Sequence, residues 1–153
     1  MNLKLVISTL LSGLLLMLFS TSSFAKKEVE YITNEKAREL NLPFSEIVKV
    51  DKTWYLSGQL GADPATGKLV SGGIVAETHQ TMKNIRATLL RNGLTLDDVV
   101  KCTVFIADIN QWGQFNKVYR QYFNKHFPAR SALGANGLAL GASVEVECIA
   151  YRQ

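Results

Sequence analysis

With 153 residues, 17 Lys+Arg against 13 Asp+Glu and a formal net charge of +4, the chain suits one mildly basic domain. Its charges are dispersed and no basic run is interleaved with aromatics, which argues against a nucleic-acid-binding face. The two cysteines, Cys102 and Cys148, have neither CxxC nor metal-ligand spacing, which speaks against a zinc framework.

Residues 1–25 read as a secretory signal peptide. Lys4 gives the basic start, Leu5 to Phe19 the apolar run, and Ser23-Phe24-Ala25 a small-x-small cleavage site. The run is short for a membrane span, so the expected mature protein is residues 26–153, exported to the periplasm or secreted, with no membrane attachment. Residues 26–46 are polar and mixed, with a short strand candidate at Val29-Glu-Tyr31. From Ile47 the pattern is a hairpin: Ile47 to Val50, a turn at Asp51-Lys52, then Trp54-Tyr-Leu56, broken by Gly58. Asp63-Pro-Ala-Thr-Gly67 is a strong turn. The segment Gly61 to Lys68 has the wrong spacing for a phosphate loop and no Ser or Thr after Lys68.

A first helix is predicted over 74–91, closed by Asn92-Gly93, with Val75, Thr78, Met82, Ile85 and Leu89 on its buried face. A strand follows over 100–107, then a second helix over 110–126 whose apolar side is Trp112, Phe115, Tyr119, Tyr122 and Phe123. The last strand runs from Ser143 to Tyr151, with a further strand near Ala132. The fold class is α+β, a mixed β-sheet with two helices packed on one face. On the last strand Val144, Val146 and Cys148 face those helices. Glu145, Glu147 and Ile149 then point to a face that no helix covers. That face is either solvated or in contact with other subunits. Cys102 and Cys148 occupy alternating apolar positions and read as two small buried residues; export permits a disulfide between them, which spacing alone does not decide.

Two features could carry chemistry. Arg130 follows Pro128 in a stiffened turn, and its guanidinium suits bidentate binding of a carboxylate; the alternative is a surface or structurally paired arginine. Glu145 and Glu147 share a strand face about 7 Å apart. One could serve as a general base if burial raises its pKa; the alternative is two solvated carboxylates. Asn116 could hydrogen-bond a ligand or face water. His79 and His126 stand apart, exposed or locally bonded, without metal-site spacing.

Together these landmarks resemble the Rid family, the reactive-intermediate (enamine/imine) deaminases also called YjgF-like proteins. The resemblance covers residues 42–151 and rests on several motifs in order. These are Leu56-Ser-Gly-Gln59, Asp63-Pro-Ala-Thr-Gly67, Asp97 to Phe105, Asn116-x-x-Tyr119-x-x-Tyr-Phe123, Phe127-Pro-Ala-Arg-Ser131 and Val144-Glu-Val-Glu147. It implies a chorismate-mutase-like fold, a homotrimer whose three sheets form an inner β-barrel, and sites in the clefts between subunits. It also implies hydrolysis of 2-imino acids or enamines such as 2-aminoacrylate to 2-keto acids and ammonia, without a cofactor. On that resemblance Arg130 binds the substrate carboxylate, Glu145 handles the water, Asn116 lies in the cleft, and the backbone of Ser57 and Gly58 lines the pocket. The chain departs from the family pattern at Phe44, where a Tyr is expected, and at Ala132, often Cys. A small-carboxylate binding protein on the same trimeric fold is the alternative, with ribonuclease or holdase-like activity behind it.

Overall fold

The computed structural model describes residues 28–153, so the expected signal segment lies outside the described residues. Six strands form one sheet: β1 (Val29–Ile32), β2 (Ile47–Val50), β3 (Thr53–Leu60), β4 (Val99–Ile106), β5 (Ala129–Gly134) and β6 (Val144–Tyr151). Their spatial order is β1-β2-β3-β6-β4-β5, antiparallel except for the parallel pair β4–β5. Among the described residues three α-helices accompany them: α1 (Glu35–Glu39), α2 (Gly73–Arg91) and α3 (Trp112–Tyr119).

The hairpin, both helix positions and the two extra strands fall where the sequence pattern puts them. Four details differ, each for a physical reason. Gly58 does not end β3: the register with β6 shifts between Leu56 and Gln59, so Ser57-Gly58 form a bulge and the strand continues to Leu60. On α2 the buried position in the first turn is Ile74, whereas Val75 is exposed. The second helix is shorter than 110–126. A turn capped by Asp108 precedes it, a tight 3-10 turn over Arg120–Tyr122 follows, and Phe123 adopts an extended backbone and enters the core. Finally, α1 was not foreseen; Asn34 caps it by accepting from the Ala37 N–H at 2.8 Å.

Asn92 and Gly93 close α2 as expected. The Leu94 N–H bonds the Leu89 carbonyl and the Gly93 N–H bonds that of Leu90, with Gly93 at φ 74°, and Leu94 buries against the core. One face of the sheet packs under α2 and α3, where Trp54, Leu56, Val104, Val146, Met82, Ile85, Leu89, Phe115 and Tyr119 form the core. Cys102 and Cys148 lie in that layer directly opposite each other on β4 and β6, with Cα atoms 4.1 Å apart, and are joined by a disulfide. The sheet's other face carries Tyr31, Tyr55, Phe105, Leu133, Ile149 and Tyr151 around Glu145 and Glu147. Tyr55 is 47 % and Leu133 44 % exposed, and none of the described helices covers them.

Candidate active site

Arg130 lies on β5, the edge strand of the sheet, in register with Cys102 on β4. Cys102 faces the helices, so Arg130 does too, and its guanidinium comes to rest among the rings of α3. The guanidinium carbon is 4.7 Å from the Tyr119 ring centroid, 5.3 Å from Trp112 and 5.5 Å from Phe115. Such stacking holds a cation by the ring faces and leaves its N–H edge available. Among the described residues the Arg130 side chain makes no ion pair and no hydrogen bond. It lines a cavity of about 310 Å³ with Asn116, Tyr119, Arg120, Phe127 and Pro128. Asn116 is half-buried, and its side-chain amide likewise has no partner among the described residues. Burial pushes the Tyr119 hydroxyl up to about 12, against the lowering influence of Arg130, so the ring platform stays neutral.

Glu145 occupies the opposite face of the sheet, on β6 next to Leu60 and Phe105. Its carboxyl pKa is raised first by desolvation and then by the neighbouring Glu147 charge. The β3 bulge makes room for it: a Cβ on Gly58 would sit 1.9 Å from Glu145 Oε1. The Ser57 hydroxyl donates to the Ser45 carbonyl at 2.6 Å, which ties the bulge to the segment bearing Phe44. Phe44 is exposed and, with Gly58, lines a second cavity of about 580 Å³ between α1, α2 and β3.

The residues singled out in the sequence therefore form two groups. Arg130, Asn116 and Ala132 share the helix side near β5; Ser57, Gly58, Phe44 and Glu145 gather around the β3 bulge and β6. From Arg130 on β5 to Glu145 on β6 there are two inter-strand steps of about 4.8 Å, or about 10 Å, with three further residues along β6, and the two side chains project to opposite faces. One chain does not bring the two groups together.

Sequence reasoning missed the aromatic cage itself. The spacing of Trp112, Phe115 and Tyr119 read only as a core stripe, and nothing in it said that an arginine from another element would lie on the rings. It also missed two buried carboxylates that fix the scaffold. Glu77 accepts from both the N–H and the hydroxyl of Ser143, each at 2.7 Å, and so anchors the start of β6 to α2. Glu46 accepts from Thr88 and pairs with Arg91. His79 is locally bonded: Tyr122 Oη donates to the His79 carbonyl at 3.0 Å and lies 2.9 Å from its Nδ1. Among the described residues no cluster of His, Cys, Asp or Glu could hold a metal.

Comparison with known proteins gives a consistent result. The sequence profile of the family described as Endoribonuclease L-PSP matches residues 35–152. The 2-iminobutanoate/2-iminopropanoate deaminase of Capra hircus is 48 % identical over 121 residues, covering 79 % of this chain and 88 % of the goat protein. The Homo sapiens protein of the same name is 44 % identical over the same shares. Among solved structures, a conserved Rid-family protein, YyfA from Yersinia pestis, superposes with a TM-score of 0.75 at 40 % identity, covering 82 % of this chain and all of that one.

Proposed function

The chain belongs to the Endoribonuclease L-PSP family, on its Rid side, and we propose that it hydrolyses 2-imino acids or their enamine tautomers to 2-keto acids and ammonia. The carrying observation is Arg130: a guanidinium seated on three aromatic rings, unpaired, at the wall of a small cavity. Its free edge suits the carboxylate of a small substrate, and Asn116 beside it can hydrogen-bond the imino nitrogen or the water. Glu145, whose proton affinity is raised, takes a proton from water as the oxygen attacks the carbon of the N-protonated imine. The resulting carbinolamine holds both oxygen and nitrogen on one carbon. Glu145 then passes its proton to the nitrogen and, as a carboxylate again, takes the hydroxyl proton as ammonia leaves and the C=O bond forms. The imine carbon is already electrophilic, so positioning supplies much of the acceleration and the steps call on no cofactor.

The reaction needs the two residue groups in one cleft, and a homotrimer meets that need. The uncovered apolar face of the sheet turns inward to form a barrel with two further copies. Arg130, Asn116 and Ala132 of one protomer then face Ser57, Gly58, Phe44 and Glu145 of the next. The leader reading of residues 1–25 sends the protein to the periplasm or outside the cell. The Cys102–Cys148 disulfide supports an oxidising compartment. The family's ribonuclease description fits less well, because a cavity of about 310 Å³ offers no track for a phosphate backbone.

The decisive experiment generates imino acids with an amino-acid oxidase and traps the survivors with semicarbazide. Purified residues 26–153 accelerate imine loss, and Arg130→Ala lowers the effect roughly a hundredfold while the fold is retained. Saturable binding of a small carboxylate without any imine loss overturns the enzymatic reading in favour of a binding protein.

A further inference from the structure

The Arg130 cavity contains a second cation. Its lining residues are Asn116, Tyr119, Arg120, Phe127, Pro128 and Arg130, with no acidic group among them. Arg120 follows α3 directly and is exposed, and it makes no ion pair or side-chain hydrogen bond among the described residues. The nearby Lys125 differs: it is engaged by Asp97 at 2.7 Å. Two arginines on one small cavity put two positive charges on the same wall, and an anion held between them would offset both. A single carboxylate on Arg130 answers one of the two charges only.

We propose that this cavity takes imino acids whose side chain ends in a second carboxylate, Arg130 holding the carboxylate beside the reacting carbon and Arg120 the distal one. This rests on the imine-hydrolase reading for the reaction, but the recognition is independent of turnover. The substrate class is the imines of short dicarboxylic amino acids, with four or five carbons, a size suited to a cavity of about 310 Å³. Phe127 and Pro128 are the apolar part of this wall and the two arginines its charged recognition elements, and the Glu145 that faces it in the proposed trimer is left to the water. Because each guanidinium binds a carboxylate through paired N–H groups, the distance between them selects chain length as well as charge.

Calorimetric titration with stable analogues tests this at fixed ionic strength: glutarate and succinate against butyrate. The wild-type protein binds a dicarboxylate about tenfold more tightly than butyrate. In Arg120→Gln that ratio falls to near one. In Lys117→Gln, which removes a charge from the adjoining α3 but not from the cavity wall, the ratio is kept. Three results overturn the proposal: no preference or no binding in the wild type, a ratio unchanged by Arg120→Gln, or equal loss in both variants. If Arg120 serves only the carbonyl end of α3, Arg120→Gln lowers Tm and leaves the ratio alone, which also overturns it. Turnover of the alanine-derived imine is measured separately on the wild type. Its absence with the affinity ratio intact removes the hydrolase reading and leaves the two-arginine site standing.

Discussion

Glu145 depends on a side chain that Gly58 does not have. Gly58 does not adopt a positive φ, so its backbone accepts alanine; what alanine displaces is the carboxylate 1.9 Å from the new Cβ. Gly58→Ala is therefore expected to lower kcat/KM on the order of a hundredfold, because a general base moved by about an ångström loses its alignment. Stability changes little, since the displaced group is the flexible end of a glutamate. Thermal unfolding measured beside kinetics checks both; a large Tm loss with activity preserved contradicts the steric account. Burial first, and then the charge of Glu147, raise the pH at which Glu145 works. Both disfavour the Glu145 carboxylate, so the base is protonated, and turnover lost, at a higher pH than for an ordinary glutamate. Removing the charge in Glu147→Gln lowers that pKa and moves the acid limb of the pH–rate profile to lower pH. A limb that stays or moves upward contradicts the assignment of Glu145 as the base. The alternation of Glu145 and Glu147 was legible from the sequence, because strand period alone puts them on one face. The steric complement at Gly58 was not, since it depends on a bulge that brings β3 against β6.

At the scale of elements, β6 is held from three directions. It pairs with β3 and β4, its start is clamped by Glu77 through Ser143, and the disulfide ties it to β4 at Cys148. The two cysteines are 46 residues apart in sequence, so the cross-link removes much loop freedom from the unfolded chain. Chain-entropy reasoning assigns this about 3–4 kcal/mol. Denaturant unfolding with and without a reductant is expected to show a loss of that order, with the slope altered because the reduced unfolded chain is more expanded. Coincident curves contradict a stabilising role. Both cysteine positions were readable as buried strand sites from their alternation. The bond was not readable, because pairing requires the cross-strand register of β4 and β6, which follows from sheet order and not from spacing. The extent of α3 escaped for a related reason. The aromatic periodicity runs on through Tyr122 and Phe123, but the core draws Phe123 out of the helix.

At the scale of the molecule, most of the architecture was legible because apolar periodicity and turn residues agree over nearly the whole domain. The bare sheet face was legible too, since β4 and β6 each alternate and the two long helices among the described residues fall on one side. What no periodicity could reveal is that Arg130 and Glu145 leave the sheet in opposite directions. That divergence has a genetic consequence. If each cleft takes its arginine from one chain and its glutamate from the next, two dead variants can cure each other. Coexpressed in equal amounts, Arg130→Ala and Glu145→Gln subunits would assemble at random, and about one quarter of clefts would receive an intact copy of both residues. Activity near that fraction of wild type, from two parents that have none, would mark a site that belongs to neither polypeptide. Silence from the mixture would mean that every chain keeps its catalytic groups to itself.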